Sequence, residues 1–175
     1  MTVEFSEQAE EQFEDIVSRY PTNLAALLPV LMMAQEEFGW ISVEVMDYVA
    51  ERLEISQSQV LSTATFYTML NKQPVGKCHI QVCTTFSCAV EGGYEILEYL
   101  EEQLGVQPGE TTSDHNFTLS EVECLASCGT APMFQVTTSD GEMEYFEDLT
   151  VDRVDEILGD LNEALEELPD PREMH

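Results

Sequence analysis

The chain changes its pattern of apolar and polar positions once, near residues 71–76. Before that stretch, apolar residues recur three and four positions apart, which is typical of amphipathic helices. The apolar positions that predict the first three helices are Ala9, Phe13, Ile16 and Val17, then Leu24, Leu27, Leu28 and Leu31, then Val45, Val49 and Leu53. A fourth helix should follow Ser56. The sequence therefore predicts an N-terminal helical domain over residues 1–72, ended by a loop rich in Pro, Gly and Asn.

Individual residues predict where these helices begin and end. Gly39 should end the second helix, and Ser42 should precede the third. Ser56 and Gln59 have the spacing of a capping box. Pro29 interrupts the second pattern, so that helix is expected either to kink at Pro29 or to begin there.

After the loop, apolar and polar residues alternate, as expected for strands. The predicted elements are a strand at 78–82, a helix at 91–104 closed by Gly105, strands at 117–122, 133–137 and 143–146, and a helix from about 150 to 165. This β-α-β-β-β-α order predicts a second domain over residues 73–168, followed by a frayed tail at 169–175. The expected fold class is α+β, a helical bundle followed by a small α+β sandwich.

Composition narrows the class of protein. Apolar residues make up 43% of the chain, enough for a core that needs no disulfides. No run of eighteen apolar residues is present, so no transmembrane helix is expected. Residues 1–5 lack the basic and apolar segments of a secretory signal, so a cytoplasmic location is expected. Five cysteines in such a chain indicate metal or redox chemistry.

The chain is strongly acidic, with 35 Asp and Glu against six Lys and Arg and a net charge of -29. Such a charge repels nucleic acid and anionic membrane surfaces, so neither is an expected partner. The acidity fits either a high-salt environment or a basic partner surface. Its spread along the whole chain favours the high-salt environment.

Four cysteines form two close pairs in sequence, Cys83 with Cys88 and Cys124 with Cys128. Each pair comes just after a predicted strand, so each should occupy a loop at the end of the sheet. A [2Fe–2S] cluster needs four thiolates, and two loops that each give two thiolates to one iron meet that need. Small and polar neighbours would let backbone N–H groups approach the sulfurs.

Zinc, disulfides and unliganded cysteines stay open on spacing alone. Structural zinc more often uses tighter spacings, although spacings of up to four residues occur. Disulfides would suit a secreted protein, and four unrelated buried cysteines would need no ligand at all. The spacing favours iron–sulfur over zinc without deciding between them.

The residues around the cysteines resemble a known family. The resembling segments are KCHIQVCTTFSC (77–88), ECLASCGTAP (123–132), AQEEFGW (34–40), ATFY (64–67) and LGVQPGETT (104–112). Together they are similar to the small thioredoxin-like [2Fe–2S] subunit of respiratory NADH:quinone oxidoreductase, complex I. The resemblance extends over about residues 10–160. One departure is Ala126, which stands where the family commonly has glycine.

The resemblance implies a fold, a cofactor and partners. It implies a thioredoxin-like domain that holds one [2Fe–2S] cluster on Cys83, Cys88, Cys124 and Cys128. It also implies an electron-transfer subunit in the NADH-oxidising module, with FMN and NADH bound by a partner flavoprotein and no complete active site in this chain. Such a subunit is peripheral to the inner membrane through its complex. Equivalent subunits occur in NAD-linked hydrogenases and formate dehydrogenases, which remain the alternative along with a zinc-stabilised structural module.

A few residues need separate interpretation. Cys78 alternates with apolar residues, so it should face the core of the sheet. None of the three histidines is expected to be a ligand, and no carboxylate pair stands out as catalytic. Phe66 and Tyr67 follow the apolar run of the fourth helix, so core packing or partner contact is expected. No GxGxxG or P-loop motif is present, so no nucleotide site is expected in this chain.

Overall fold

The structure, a computed structural model, describes residues 3–170. The chain divides into two compact units, the first ending at Pro74 and the second extending from Val75. The domain limits at 1–72 and 73–168 stay a prediction, and residues 171–175 of the predicted tail lie outside the described part. Within residues 3–170, none of the helices has both the length and the apolar character that crossing a membrane requires.

The first unit contains four helices: α1 (Glu7–Ser18), α2 (Asn23–Phe38), α3 (Val43–Arg52) and α4 (Gln57–Phe66). Each begins after a Ser or Thr whose side-chain oxygen accepts a backbone N–H of the first turn. Their apolar faces meet in one core that includes Phe13, Leu27, Leu31, Val49 and Val60. This unit has the predicted helical character.

The predicted boundaries in this unit are mostly confirmed. Ser56 and Gln59 form the capping box, Gly39 ends α2 with a φ of 75°, and Ser42 precedes α3. The alternative that the second helix begins at Pro29 is wrong. Thr22 caps the helix well before that proline, because its side chain accepts the N–H of Ala25.

The second unit is built on a four-stranded sheet in the order β2-β1-β3-β4. Its strands are β1 (Cys78–Cys83), β2 (Phe117–Val122), β3 (Phe134–Thr138) and β4 (Met143–Phe146). The β1 strand pairs parallel with β2 and antiparallel with β3, and β3 pairs antiparallel with β4. Strands β1 and β3 are therefore the inner strands, each with a neighbour on both sides.

Three helices complete this unit: α5 (Phe86–Val90), α6 (Gly93–Leu104) and α7 (Val151–Ala164). Apolar residues of α6 and α7 pack with the inward residues of the strands in a second core, which includes Ile80, Leu119, Val136, Leu100 and Ile157. Cys78 is fully buried in this core, as predicted.

Three details of the second unit differ from prediction. The α5 helix is absent from the predicted elements, because five residues are too few to show helical periodicity. The α6 helix begins at Gly93 rather than residue 91, since α5 and the Gly92 turn occupy the preceding positions. Strand β1 extends to Cys83 and β3 starts at Phe134, each one residue later than predicted.

Candidate metal centre

The first pair of cysteines is held by the inner strand β1 and the short helix α5. Cys83 is the last residue of β1, and its N–H donates to the carbonyl of Met133 at 3.2 Å. Cys88 lies in α5, where its N–H donates to the carbonyl of Thr85 at 2.8 Å. Both side chains are buried, so this half of the site belongs to the interior.

The second pair lies in the loop between β2 and β3. Cys124 follows β2 by two residues, and Cys128 opens a short 3-10 helix that ends at Thr130. Their Sγ atoms are 3.4 Å apart, and both residues are exposed. The N–H of Ala126 donates to the Cys124 sulfur at 3.3 Å, with Ala126 at a φ of 70°.

Packing between the two cysteine-bearing segments brings the pairs together. Leu125, which follows Cys124, packs against the buried cluster of Cys83, Cys88 and Met133. The α5 helix, which carries Cys88, contacts the 3-10 helix that begins at Cys128. All four predicted cysteines therefore converge at one end of the sheet, and we call this arrangement the four-thiol site.

Burial and mutual contact shift the acidities of these thiols. Burial raises the pKa of Cys88 to about 11, with the neighbouring Cys83 adding to the shift. Burial also acts to raise the pKa of Cys83, but hydrogen bonds from Thr85, Leu125 and Cys88 outweigh it and lower that pKa. The hydrogen bond and charge of Cys124 raise the pKa of Cys128. The four sulfurs thus interact electrostatically across both pairs.

Polar contacts anchor the loops on either side of the thiols. The hydroxyl of Thr84, which lies two residues before α5, donates to the Glu121 carboxylate at 2.7 Å. The Thr130 hydroxyl donates to Glu147 at 2.6 Å, and the N–H of Asp148 donates to the carbonyl of Thr130 at 2.8 Å. The segment after β4 therefore holds the 3-10 helix that carries Cys128.

Gly93 is a functional position that the sequence analysis missed. A Cβ atom at Gly93 would lie 2.8 Å from the carbonyl oxygen of Cys88 and 2.9 Å from that of Cys83. The start of α6 can approach both cysteine-bearing segments so closely only without a side chain. The adjacent pair Gly92-Gly93, soon after Cys88, was the signal available in the sequence.

The donor set fits a [2Fe–2S] cluster. Four thiol sulfurs arranged as two pairs, with the backbone N–H of Ala126 directed at the Cys124 sulfur, match what such a cluster requires of its protein. Within residues 3–170, no group of three or more His, Cys, Asp and Glu side chains is arranged to hold a single metal ion.

The other residues considered from the sequence lie elsewhere. His79 Nε2 hydrogen-bonds the Ser120 hydroxyl at 2.8 Å, and the N–H of His115 donates to the carbonyl of Thr112. His175 lies beyond the described residues. Phe66 is 77% exposed and packs edge-on against the ring of Tyr67, so Phe66 is not a core residue.

Comparison with known proteins supports the same chemistry. Residues 13–162 match the family of thioredoxin-like [2Fe-2S] ferredoxins. The E subunit of the NADH-quinone oxidoreductase of Rickettsia felis is 42% identical over 148 residues, covering 83% of this chain and 86% of the relative. The corresponding protein of Rickettsia conorii is 43% identical over 151 residues, covering 85% and 87%.

A solved structure shares the fold at lower identity. An NAD+-reducing [NiFe]-hydrogenase in the air-oxidised state superposes with a TM-score of 0.64 at 17% identity, over 78% of this chain and 22% of the hydrogenase chain. The predicted α+β class with a thioredoxin-like domain is confirmed. From the extent of the family match and the identity to its relatives, the chain belongs to the thioredoxin-like [2Fe–2S] ferredoxin family.

Proposed function

We propose that this chain is an electron-transfer subunit that carries one [2Fe–2S] cluster on Cys83, Cys88, Cys124 and Cys128. It would serve the NADH-oxidising module of an NADH–quinone oxidoreductase and exchange single electrons with the FMN of a partner flavoprotein. Its place would be the cytoplasmic side of the inner membrane, held there through the other subunits.

The convergence of the two cysteine pairs carries this proposal. Leu125, which follows Cys124 in one loop, packs against the buried Cys83 and Cys88 of the other segment, so both segments contribute to one site. The curated relatives, which are more than 40% identical, are subunits of a quinone oxidoreductase. The hydrogenase shares only the fold at 17% identity, so the quinone oxidoreductase is the favoured complex.

The chain's own residues have separable tasks in this function. Deprotonated, the four thiols would hold the irons, and the N–H of Ala126 would stabilise the negative charge on the Cys124 sulfur. The bound cluster supplies one-electron chemistry, whereas hydride transfer from NADH delivers two electrons, so a flavin is needed between them.

Metal analysis of single-cysteine variants tests the ligand set. The purified chain should contain two irons and two sulfides and give one [2Fe–2S] resonance after reduction. Alanine at any of the four cysteines should abolish or cripple the cluster. Cys78→Ala is the matched control, because that thiol is buried in the other core. A colourless protein containing zinc, or cluster loss confined to Cys78→Ala, would reject the assignment.

The source of electrons is tested by bleaching of the visible absorption. Dithionite should bleach the isolated chain, whereas NADH alone should not, because this chain has no nucleotide-binding motif. Addition of the FMN-loaded flavoprotein should make reduction by NADH possible. Rapid bleaching of the flavin-free chain by NADH would contradict the proposed division of labour.

A further inference from the structure

The helix that carries Cys88 displays large apolar side chains to solvent. Phe86 is 82% exposed and Val90 is 70% exposed, and their spacing of four residues places them on one face of α5. Tyr94, in the first turn of α6, is 51% exposed. We call these three residues the α5 patch. Exposed apolar groups of this size commonly mark interaction sites.

The α5 patch lies on the outside of the four-thiol site. Cys88, on the same helix, is buried, whereas Phe86 and Val90 are open to solvent. The α5 helix also contacts the 3-10 helix that begins at Cys128. A molecule seated on the α5 patch would therefore lie next to the thiols of both pairs.

Exposed carboxylates lie next to the residues of the α5 patch along the chain. Glu91 and Glu95 are exposed between and beside the patch residues, and Glu123 accepts a hydrogen bond from Thr85, just before α5. In residues 75–170 the sequence has Lys and Arg at positions 77 and 153 alone. Lys77 donates to the carbonyl of Leu165, and Arg153 pairs with Glu156. The rim of the patch is thus strongly negative.

We propose that the α5 patch is the docking surface for the electron-transfer partner, and that the partner presents an apolar recess ringed by Lys and Arg. An apolar centre with a charged rim is the usual anatomy of a specific interface, and the acidic rim selects a basic complement. The identity of that partner as the flavoprotein rests on the proposed function. Docking here places the partner against the edge of the four-thiol site.

Binding of the FMN-loaded, NADH-oxidising flavoprotein to the full chain tests the α5 patch. The variant Phe86→Ser/Val90→Ser should weaken binding about tenfold or more. Its iron and sulfide content and visible spectrum should stay at wild-type levels, since neither side chain is buried. Met143→Ser/Tyr145→Ser removes a matched exposed pair from β4 and should leave affinity within about twofold.

Two further variants separate the apolar and charged contributions. Tyr94→Ser changes no residue of α5 and should also weaken binding. A loss of affinity in this variant therefore cannot be attributed to misfolding of α5. Glu91→Lys/Glu95→Lys should weaken binding strongly at low salt and less at molar salt, because salt screens the rim charges.

The results distinguish this inference from the proposed function. Wild-type affinity in Phe86→Ser/Val90→Ser and Tyr94→Ser, or an equal loss in the β4 pair, would overturn the α5 patch as the docking surface. A wild-type chain that holds its cluster but fails to bind the flavoprotein would also overturn it. A chain without iron and sulfide would instead reject the proposed function. The flavoprotein affinities of the patch variants would still test the docking surface.

Discussion

Ala126 adopts a backbone conformation that alanine seldom takes. Its φ of 70° lies in the left-handed region, where the Cβ atom crowds the neighbouring carbonyl. That conformation lets its N–H donate to the Cys124 sulfur at 3.3 Å. The loop therefore tolerates a local cost in order to direct a donor at a thiol.

The substitution Ala126→Gly should relieve this cost. We expect the free energy of unfolding to rise by up to about 1 kcal/mol, because glycine adopts positive φ without steric penalty. Urea denaturation of the two proteins measures the change. Ala126→Val is the matched opposite, since a branched side chain at this φ should lower stability. Equal stability of all three proteins would contradict the strain.

His79 is a buried titratable group on the polar face of the sheet. Burial lowers its pKa to about 4, and its Nε2 atom bonds Ser120. The folded protein therefore keeps His79 neutral at pH values where the unfolded chain, with a histidine pKa near 6.5, binds a proton. Stability from this residue is complete above pH 6.5 and is lost as pH falls from about 6.5 toward 4.

Replacement of His79 by glutamine should flatten this part of the pH profile. Between pH 7.5 and 5, wild type should lose about 2 kcal/mol more stability than His79→Gln, because only wild type takes up the extra proton on unfolding. Urea denaturation followed by circular dichroism measures both profiles. The carboxylates are common to both proteins, so the difference isolates His79. Parallel profiles would contradict the buried neutral histidine.

At the residue scale, the sequence indicated the cysteines of the four-thiol site better than it indicated the residues that support them. Cys83, Cys88, Cys124 and Cys128 could be chosen because cysteine is rare and their spacing is distinctive. The pair Gly92-Gly93 stands out after Cys88, but it does not reveal that the start of α6 lies against the carbonyl oxygens of Cys88 and Cys83. Such proximity depends on tertiary structure, which no local pattern contains.

At the element scale, the packing of α6 against β1 and α5 shapes the four-thiol site. Gly93 opens α6 with no room for a side chain, whereas Gly159, inside α7, has no atom within 4 Å of an added Cβ. These two helical glycines therefore have opposite roles. One permits a close contact, and the other only weakens its helix.

Alanine substitutions at the two glycines should have opposite signs. Gly93→Ala should lower stability by roughly 1–3 kcal/mol and reduce iron content, because the backbone of both cysteines must shift. Gly159→Ala should raise stability by about 0.5–1 kcal/mol, since alanine favours a helix interior. Urea denaturation and iron analysis measure both effects. Stabilisation by Gly93→Ala would show that α6 does not approach the cysteines this closely.

The elements themselves can be predicted well where periodicity is long enough to read. The four N-terminal helices and β2 and β4 follow from alternating or helical spacing. The α5 helix escapes prediction because its five residues complete little more than one turn. Local pattern also cannot reveal that β1 lies between β2 and β3, since strand order depends on long-range pairing.

At the scale of the whole molecule, negative charge dominates. Carboxylates far outnumber the available cations, and the described ion pairs are Arg19 with Asp15, Arg52 with Glu10, and Arg153 with Glu156. Most carboxylates therefore repel one another across the surface, which works against the compact state.

Salt should stabilise the folded chain. The screening length falls from about 10 Å at 0.1 M salt to about 3 Å at 1 M, so repulsion among the carboxylates should weaken. We expect the melting temperature, measured by calorimetry, to rise by several degrees over this range. An uncharged osmolyte at the same osmolality is the control. A melting temperature that stays the same from 0.1 M to 1 M salt would favour a basic partner over a high-salt environment as the reason for the acidity.

The excess of carboxylates has a second consequence at the edge strand β4. Among residues 3–170 it pairs with β3 alone, so its outer backbone groups could template a strand from another copy. Exposed Met143 and Tyr145 would favour such pairing, whereas Glu142 and Glu144 oppose it while ionised. Acidification toward the isoelectric point near 4.1 would remove that opposition and invite edge-to-edge aggregation. The carboxylates whose mutual repulsion destabilises each folded molecule also prevent the molecules from associating, because they repel those of other copies.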